Sequence, residues 1–151
     1  MSDATNDEKL IDNLTVELYS SICFAAGGKP PVEKLRRLFM PGARMINNDG
    51  DEPTVMPVND FIAAYGENIE SGRIKSFEEK EIAAITEIFG KIAHRFSTYE
   101  SRFDLNSDEP IAVGINSIQF VKIGGAWQIS CMVWNNQNDD MTIPNRYLPE
   151  E

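Results

Sequence analysis

The second half of the chain constrains the fold most strongly, because it has the pattern of four long β-strands joined by short turns. The predicted strands cover residues 78–88, 91–103, 111–123 and 126–135. Gly124-Gly125 is typical of a two-residue hairpin turn between the last two strands. Because the helical patterns all come earlier, we expect a curved sheet wrapped around helices, with a pocket between the two layers.

Three helices are predicted in the first half. In residues 7–26 apolar side chains recur at every fourth position, which is typical of an amphipathic helix with one buried face. A short second helix is predicted to begin at Pro31 and to end before Pro41, because proline suits the first turn of a helix but not its interior. A short strand at 43–47 and a third helix over 59–71 follow. The fold class is therefore predicted to be α+β, with three N-terminal helices packed on a strongly curved, mainly antiparallel sheet.

The length of 151 residues suits a single domain, residues 1–151, with a substantial core. We expect that core to span residues 7–135. Residues 136–151 contain prolines and acidic residues without periodicity, and we expect them to form a C-terminal tail that lies over a neighbour or an edge.

The acidic charge balance limits the possible partners. The formal net charge is -10 at pH 7. A nucleic-acid-binding face must be basic to meet phosphates, and attachment to an anionic membrane surface also depends on basic residues. We therefore expect no nucleic-acid partner and no membrane partner.

We expect neither a secretory signal nor a membrane-spanning segment in this chain. Residues 1–9 are polar and acidic, so the basic and then apolar pattern of a secretory signal is absent, and no apolar run is long enough to span a bilayer. Cys23 and Cys131 lie in apolar patterns without CxxC spacing, which favours reduced thiols in a cytoplasmic protein. Since His94 is the one histidine, we expect no Cys–His metal site, and we expect no cofactor.

Four segments in order carry a resemblance to a known family. They are Leu38-Phe39 before Pro41-Gly42-Ala43, residues 58–61 (VNDF), residues 92–100 (IAHRFSTYE) and residues 125–129 (GAWQI). Together with the order of the elements, they resemble the nuclear-transport-factor-2-like superfamily, which includes SnoaL-like and ketosteroid-isomerase-like proteins. The resemblance covers about residues 7–135 and implies the cystatin-like α+β cone, a cone-shaped barrel. It implies no activity, because this fold hosts enzymes, binding domains and transport adaptors.

The resemblance also places an isomerase pattern on this chain. Ketosteroid isomerases use an Asp base with an oxyanion hole of Tyr and a protonated Asp. The helix-one Tyr corresponds to Tyr19, the base falls near Asn47, and the oxyanion-hole Asp falls near Asn116. An amide cannot accept a proton at neutral pH, so Asn47 is not a general base, whereas Asn116 can still donate a hydrogen bond.

His94 is the other candidate acid/base, because histidine is the side chain whose unperturbed pKa lies nearest to neutrality. Strand alternation places His94 with Ile92 and Phe96 on one face, which we interpret as the pocket face. A proton shuttle between His94 and Tyr19 would suit a lyase or an isomerase. The alternative is a hydrogen-bonded interior or interface histidine without a chemical role.

The opposite face of the same strand is interpreted as the outer surface of the sheet. It carries Ala93, Arg95, Ser97, Tyr99 and Ser101. Members of the resembled superfamily often pair through their outer sheet face. The resemblance therefore implies a homodimer formed through this surface.

A small, partly apolar molecule bound in the conical pocket, with no established catalysis, is the leading functional prediction. Small-molecule sites are mostly apolar with a few convergent polar groups. The expected lining is Tyr19, Asn47, Phe61, Tyr65, His94, Phe96, Asn116, Met132 and Trp134. Met132 and Trp134 should face away from Trp127 if no bulge intervenes. The alternatives are a lyase or isomerase using His94 and Tyr19, and a non-catalytic dimeric protein-interaction module.

Overall fold

The structure, a computed structural model, describes residues 3–150 and shows three α-helices against one six-stranded sheet. The helices are α1 (Asp3–Ser20), α2 (Glu33–Leu38) and α3 (Val58–Glu70). The strands are β1 (Phe39–Asn47), β2 (Thr54–Pro57), β3 (Glu78–Phe89), β4 (Ile92–Arg102), β5 (Ala112–Ile123) and β6 (Ala126–Asn136). A short 3₁₀ helix, Asn145–Tyr147, lies in the tail.

The strand order is β2-β1-β6-β5-β4-β3, so β2 and β3 are the edges of a sheet that curls without closing into a barrel. β1 and β6 run parallel, and the other neighbouring strands are antiparallel. The predicted α+β class with a mainly antiparallel curved sheet is confirmed. The hairpin partner β2 and the early start of β1 at Phe39 were not predicted.

Helix α1 ends six residues before the predicted end at residue 26. The hydroxyl of Ser21 donates to the carbonyl oxygen of Leu18 at 2.6 Å, and such local bonds compete with the helical pattern. Phe24 then exchanges backbone hydrogen bonds with Phe77, both at 3.0 Å. This pairing draws the chain away from the helix axis and towards the start of β3.

The hydrophobic core fills the space between the helices and the concave face of the sheet, which we call the inner face. Ile11 and Leu18 of α1 pack there against Leu35 of α2 and against Ile118 and Phe120 of β5. Burial of one such side chain contributes about 1.5–3 kcal/mol. The core therefore attaches α1 firmly to the sheet.

A bulge in β6 changes which residues reach the inner face. Phe120 pairs with Ile129 while Gln119 pairs with Cys131, so one extra residue lies between the two pairs. Ile129 and Met132 are consequently both buried in the core together with Trp127. The expectation that Met132 faces away from Trp127 is wrong for this reason.

The predicted faces of β4 are reversed in the structure. Arg95, Ser97 and Tyr99 are buried on the inner face, whereas His94 and Phe96 are exposed on the opposite face, which we call the outer face. The apolar character of Ile92 and Phe96 suggested the wrong side, because polar partners on α1 and β3 satisfy the inner residues. Arg95, Tyr99 and Ser101 are therefore not a dimer-forming surface.

The C-terminal tail packs on the outer face of its own sheet. The rings of Phe96 and Tyr147 lie 5.3 Å apart, and the Thr98 hydroxyl donates to the Tyr147 carbonyl oxygen at 2.6 Å. Thr98 is buried although it lies on the outer face, because the tail covers it. Within residues 3–150, no helix has the length and apolar composition needed to cross a membrane.

Candidate functional site

Asn116 on β5 links α1 and β3 inside the curl of the sheet. Its side-chain amide donates one hydrogen bond to the Tyr19 hydroxyl at 2.9 Å and another to Oε2 of Glu79 at 3.2 Å. Asn116 is only 2% exposed, so both amide hydrogens are used within the protein. The amide therefore fixes the position of the Glu79 carboxyl relative to helix α1.

The hydrogen-bond network continues from Tyr19 to β4 and back to β3. The Tyr19 hydroxyl lies 2.5 Å from the Ser97 hydroxyl, and Ser97 donates to Oε2 of Glu81 at 2.5 Å. Because the one hydrogen of Ser97 goes to Glu81, Tyr19 must donate its own hydrogen to Ser97. Tyr19 thus holds the network together and has no hydrogen left to give to a ligand.

Arg95 supplies the positive charge nearest to this network, and two carboxylates already balance that charge. Its guanidinium donates to both oxygens of Glu81, at 3.0 and 2.6 Å, and to Asp12 at 2.7 Å. Bidentate arginine–carboxylate pairs of this kind are strong and directional. Arg95 therefore anchors α1 to the sheet and leaves Glu79 without a cationic partner.

The carboxyl of Glu79 on the inner face has a raised pKa. Burial raises its pKa from the usual 4.5 to about 7, although the Asn116 hydrogen bond acts in the opposite direction. A carboxyl of this kind is close to half protonated at neutral pH. It can therefore either donate or accept a proton in contact with a ligand.

An open groove of about 460 Å³ is lined in part by Glu79. We call it the α1–β3 groove, because one wall is helix α1 and the other is edge strand β3. Its lining is Thr15, Val16, Tyr19, Ser20, Cys23, Glu78, Glu79, Lys80 and Glu81. The exposed side chain of Val16 adds an apolar contact at the rim.

Cys23 forms the end of the groove next to Glu79. Its thiol lies 3.1 Å from the Tyr19 carbonyl oxygen and 3.4 Å from the Glu79 backbone nitrogen. Burial raises the pKa of the thiol, so it stays protonated at neutral pH. Cys23 therefore contributes shape to the groove and no nucleophile.

An aromatic cluster lies between α3 and the sheet, where the pocket was expected. It consists of Phe24, Phe61, Tyr65, Phe77, Phe103 and Trp134. Neighbouring rings lie 5.6 to 6.4 Å apart, and the Tyr65 hydroxyl donates to the Ile22 carbonyl oxygen at 2.5 Å. These rings pack on one another, as core aromatic groups do.

The predicted site residues divide into separate groups. Tyr19 and Asn116 meet in the network beside Glu79. The aromatic members, Phe61, Tyr65 and Trp134, belong to the aromatic cluster.

Met132 is buried in the core, and the amide oxygen of Asn47 accepts a hydrogen bond from the Asp49 backbone nitrogen at 3.0 Å. That bond closes the turn after β1, so it engages the oxygen of Asn47 locally.

His94 and Phe96 lie on the outer face, across the sheet from Tyr19. His94 Nε2 is 2.7 Å from Oε1 of Glu87, and both side chains are more than half exposed. The predicted proximity of His94 and Tyr19 is therefore wrong. On that face the Phe96 ring contacts Tyr147 of the tail, away from Tyr19.

Sequence reasoning missed the residues that complete the network, Glu79, Glu81, Arg95 and Ser97. Glu79 and Glu81 alternate on β3 with the same period as Arg95 and Ser97 on the neighbouring strand. Two acidic residues at this spacing, beside a strand whose arginine and serine share one face, indicate an inward-facing ion pair. The apolar residues on the other face of β4 instead predicted that Arg95 and Ser97 lie on the outer surface.

Comparison with known proteins identifies the fold. Neither the comparison with family models nor that with curated proteins found a match. Among solved structures, an NTF2-like protein of unknown function from Shewanella baltica OS155 is 14% identical, with a TM-score of 0.65 over 89% of this chain and 97% of that chain. The fold is NTF2-like.

Two further solved structures, described as NTF2-like and cystatin-like, are similar to this fold. An NTF2-like protein of unknown function from Silicibacter pomeroyi DSS-3 is 14% identical, with a TM-score of 0.63 over 91% of this chain and 100% of that chain. A protein of unknown function with a cystatin-like fold from Nostoc punctiforme PCC 73102 is 15% identical, with a TM-score of 0.67 over 88% and 92%. At such identities the NTF2-like likeness extends to the fold, and the function must be argued from the groove.

Proposed function

We propose that the protein binds a small, partly apolar molecule in the α1–β3 groove and recognises it through Glu79. Glu79 lines the groove, and Asn116 holds one of its carboxyl oxygens at 3.2 Å. This observation carries the proposal, because a positioned carboxyl of raised pKa beside an open groove is typical of a binding or catalytic site.

The surrounding network supports the proposal by keeping the carboxyl in one orientation. Tyr19, Ser97 and Glu81 connect three elements through bonds of 2.5 Å each. A group that is already oriented loses little entropy when a ligand arrives. The expected affinity therefore comes from a few directed bonds, with apolar contacts from the helix α1 side of the groove.

A fragment screen by ¹H–¹⁵N NMR tests this proposal. Binding fragments should shift the amide signals of Thr15, Cys23 and Lys80, and E79Q should weaken the same fragments. The matched control is E87Q, because Glu87 is an exposed glutamate on the outer face. Fragments that bind E79Q as well as the wild type would contradict a role for Glu79 in recognition.

Proton transfer by a lyase or isomerase is the second candidate function, with Glu79 in the place expected for His94. The observation that favours it is the Glu79 carboxyl held by Asn116 at 3.2 Å beside the groove, where burial raises the pKa of Glu79 to about 7, a value that suits a general acid or base at neutral pH. Tyr19 and Asn116 would act as positioning residues. Exchange of the α-protons of cyclohexanone into D₂O tests this candidate: wild-type protein should accelerate it more as the pH rises through 7, and E79Q should not.

Homodimer formation through the outer face is a separate proposal. Ile85, Ile92 and Phe96 present apolar surface there, and the tail covers only part of that face. Sedimentation velocity of wild type and F96E tests it. A dimer that F96E converts to monomer supports it, and a monomeric wild type at high concentration contradicts it.

A cytoplasmic location is proposed because Cys23 and Cys131 are free thiols, which suits a reducing compartment.

A further inference from the structure

The charges around the groove leave one carboxyl without a counter-charge in the described part of the chain. Strand β3 brings three glutamates to the groove, Glu78, Glu79 and Glu81. Arg102 pairs with Glu78 at 3.0 Å, and Arg95 pairs with Glu81 at 2.6 Å. The third glutamate, Glu79, has no such arginine.

The one lysine of the groove does not fill this role. Lys80 follows Glu79 on β3, so strand alternation directs it to the opposite face. There its ammonium lies 3.3 Å from Oε1 of Glu100. The counter-charge for an ionised Glu79 must therefore come from outside the described residues.

The hydrogen-bond donors beside Glu79 are also engaged. Asn116 uses one amide hydrogen for Glu79 and the other for Tyr19. Tyr19 donates to Ser97, and the thiol of Cys23 lies against the carbonyl oxygen of Tyr19. An ionised carboxylate has about four acceptor positions, so the Glu79 carboxylate retains unused acceptor capacity beside its bond from Asn116.

From this arrangement we infer that the α1–β3 groove takes a ligand with a protonated amine, whose ammonium group pairs with the Glu79 carboxylate. The inference rests on the proposed binding function and names its ligand class. An ammonium group supplies the missing charge and several N–H donors together. The net charge of -10 also raises the local concentration of cations near the protein.

Ligands of other charge fit the groove less well. An anionic group would meet Glu79 and Glu81, two carboxyl groups on the same face of one strand. A neutral hydroxyl group can bond to Glu79, but a charge-assisted bond is stronger by about 1.4 kcal/mol, which corresponds to about tenfold in affinity. We therefore expect an amine to bind about tenfold more tightly than the alcohol of the same shape.

The pH dependence of binding follows from the groups that face Glu79. These are Tyr19 from α1, Cys23 from the segment after α1, Tyr65 from α3, Tyr99 from β4 and Glu81 from its own strand. Burial raises the pKa of each of the three tyrosines and of the thiol, so all four stay neutral below pH 8. Glu81 is already paired with Arg95.

Glu79 is therefore the group whose ionisation changes near neutrality. An ammonium ligand requires the carboxylate form, so binding below pH 7 must release a proton. We expect the affinity for an amine to fall about tenfold for each pH unit below 7 and to be flat above about 7.5.

Matched pairs of probes test the inference: 2-phenylethylamine against 2-phenylethanol, and tryptamine against tryptophol. Each is titrated into the full-length protein at pH 7.5 and pH 6, and ¹H–¹⁵N NMR follows Thr15, Cys23 and Lys80. The amines should bind at least about tenfold more tightly than the alcohols at pH 7.5. E79Q should remove that preference, whereas E87Q should retain it.

Three other results would overturn the inference. Alcohols that bind in the groove as tightly as the amines would overturn the amine inference and leave the proposed function standing. Amine binding that is equally tight at pH 6 and 7.5 would also overturn it. If neither the amines nor the alcohols shift the amide signals of the groove, both the inference and the proposed function are contradicted.

Discussion

Asn116 and Tyr19 are 97 positions apart in the chain and are joined by a hydrogen bond of 2.9 Å inside the sheet. The same amide holds Glu79 at 3.2 Å. One side chain thus sets the position of a helix residue and of a carboxyl on an edge strand. The chemistry of the groove depends on this bond, because without it nothing described here would fix the direction of the Glu79 carboxyl.

Y19F should destabilise the protein and loosen Glu79. The substitution removes the acceptor for one hydrogen of Asn116 and the donor to Ser97, and both of these partners are buried. The expected loss in the free energy of unfolding is about 1–3 kcal/mol. Urea denaturation measures it, with Y147F on the outer face as the control. Equal losses for the two variants would mean that the network contributes no special stability.

E79Q should make the protein more stable at alkaline pH. The pKa of Glu79 is raised in the folded protein to about 7 from the usual 4.5, so its contribution to stability is fully present below about pH 4.5 and is lost as the pH rises through 7. Glutamine does not ionise, and its amide oxygen can still accept the bond from Asn116. At pH 8.5 the free energy of unfolding of the variant should therefore exceed that of the wild type by roughly 3 kcal/mol.

Thermal unfolding of wild type and E79Q at pH 4.5 and pH 8.5 measures this difference. The two melting temperatures should nearly agree at pH 4.5, and at pH 8.5 the variant should melt about 8 °C higher than the wild type. The control is E87Q, which should follow the wild type at both pH values. A melting temperature of E79Q below that of the wild type at pH 8.5 would mean that ionised Glu79 is well accommodated.

G114A should be severely destabilising. A Cβ at this position would lie 2.5 Å from the carbonyl oxygen of Asn135 and would overlap the hydroxyl end of the Tyr99 ring. The expected loss is about 3 kcal/mol, because neither the backbone nor the buried ring can move freely. G66A is the matched control: its Cβ would meet nothing within 4 Å in helix α3, so a gain of about 0.5–1 kcal/mol is expected. Similar stabilities of the two variants would contradict the close packing at Tyr99.

H94A should leave both stability and groove binding almost unchanged. His94 pairs with Glu87 at 2.7 Å on the outer face, where both side chains are largely in water. Exposed ion pairs contribute about 0–1 kcal/mol. Urea denaturation and the amine titration described above are the two measurements. A loss of amine binding comparable to that of E79Q would show that the outer face communicates with the groove.

The fold was predictable because its signals are local and repeated. Turn residues such as Gly124-Gly125 separate strands long enough to show a period of two, and apolar spacing identifies the helices. The ends of helices and strands were predicted least reliably. Helix α1, for example, ends at Ser20, because Phe24 forms backbone hydrogen bonds with Phe77 and does not continue the helix.

The candidate site was only partly predictable, because it depends on which face of each strand turns inward. On β4 both faces carry apolar and polar residues, so the pattern alone did not decide between His94 and Arg95. The decisive partners, Asp12 and Glu81, lie on other elements and become neighbours only after folding. In β6 the bulge reversed the alternation of faces near Met132. No residue type in this segment predicts such a bulge. Tyr19 and Asn116 were found because the family resemblance supplied their positions.

The most direct test of the account is a ¹³C NMR titration of the side-chain carboxyl groups, with the Glu79 signal assigned by comparison with E79Q. The structure predicts a pKa of about 7 for Glu79, since burial raises it and no basic side chain of the described residues is paired with it. A midpoint near 7 that moves to lower pH when 2-phenylethylamine is added would support both the groove site and its ligand class. A midpoint near the usual 4.5 would show a solvated carboxyl and would contradict the site proposed here.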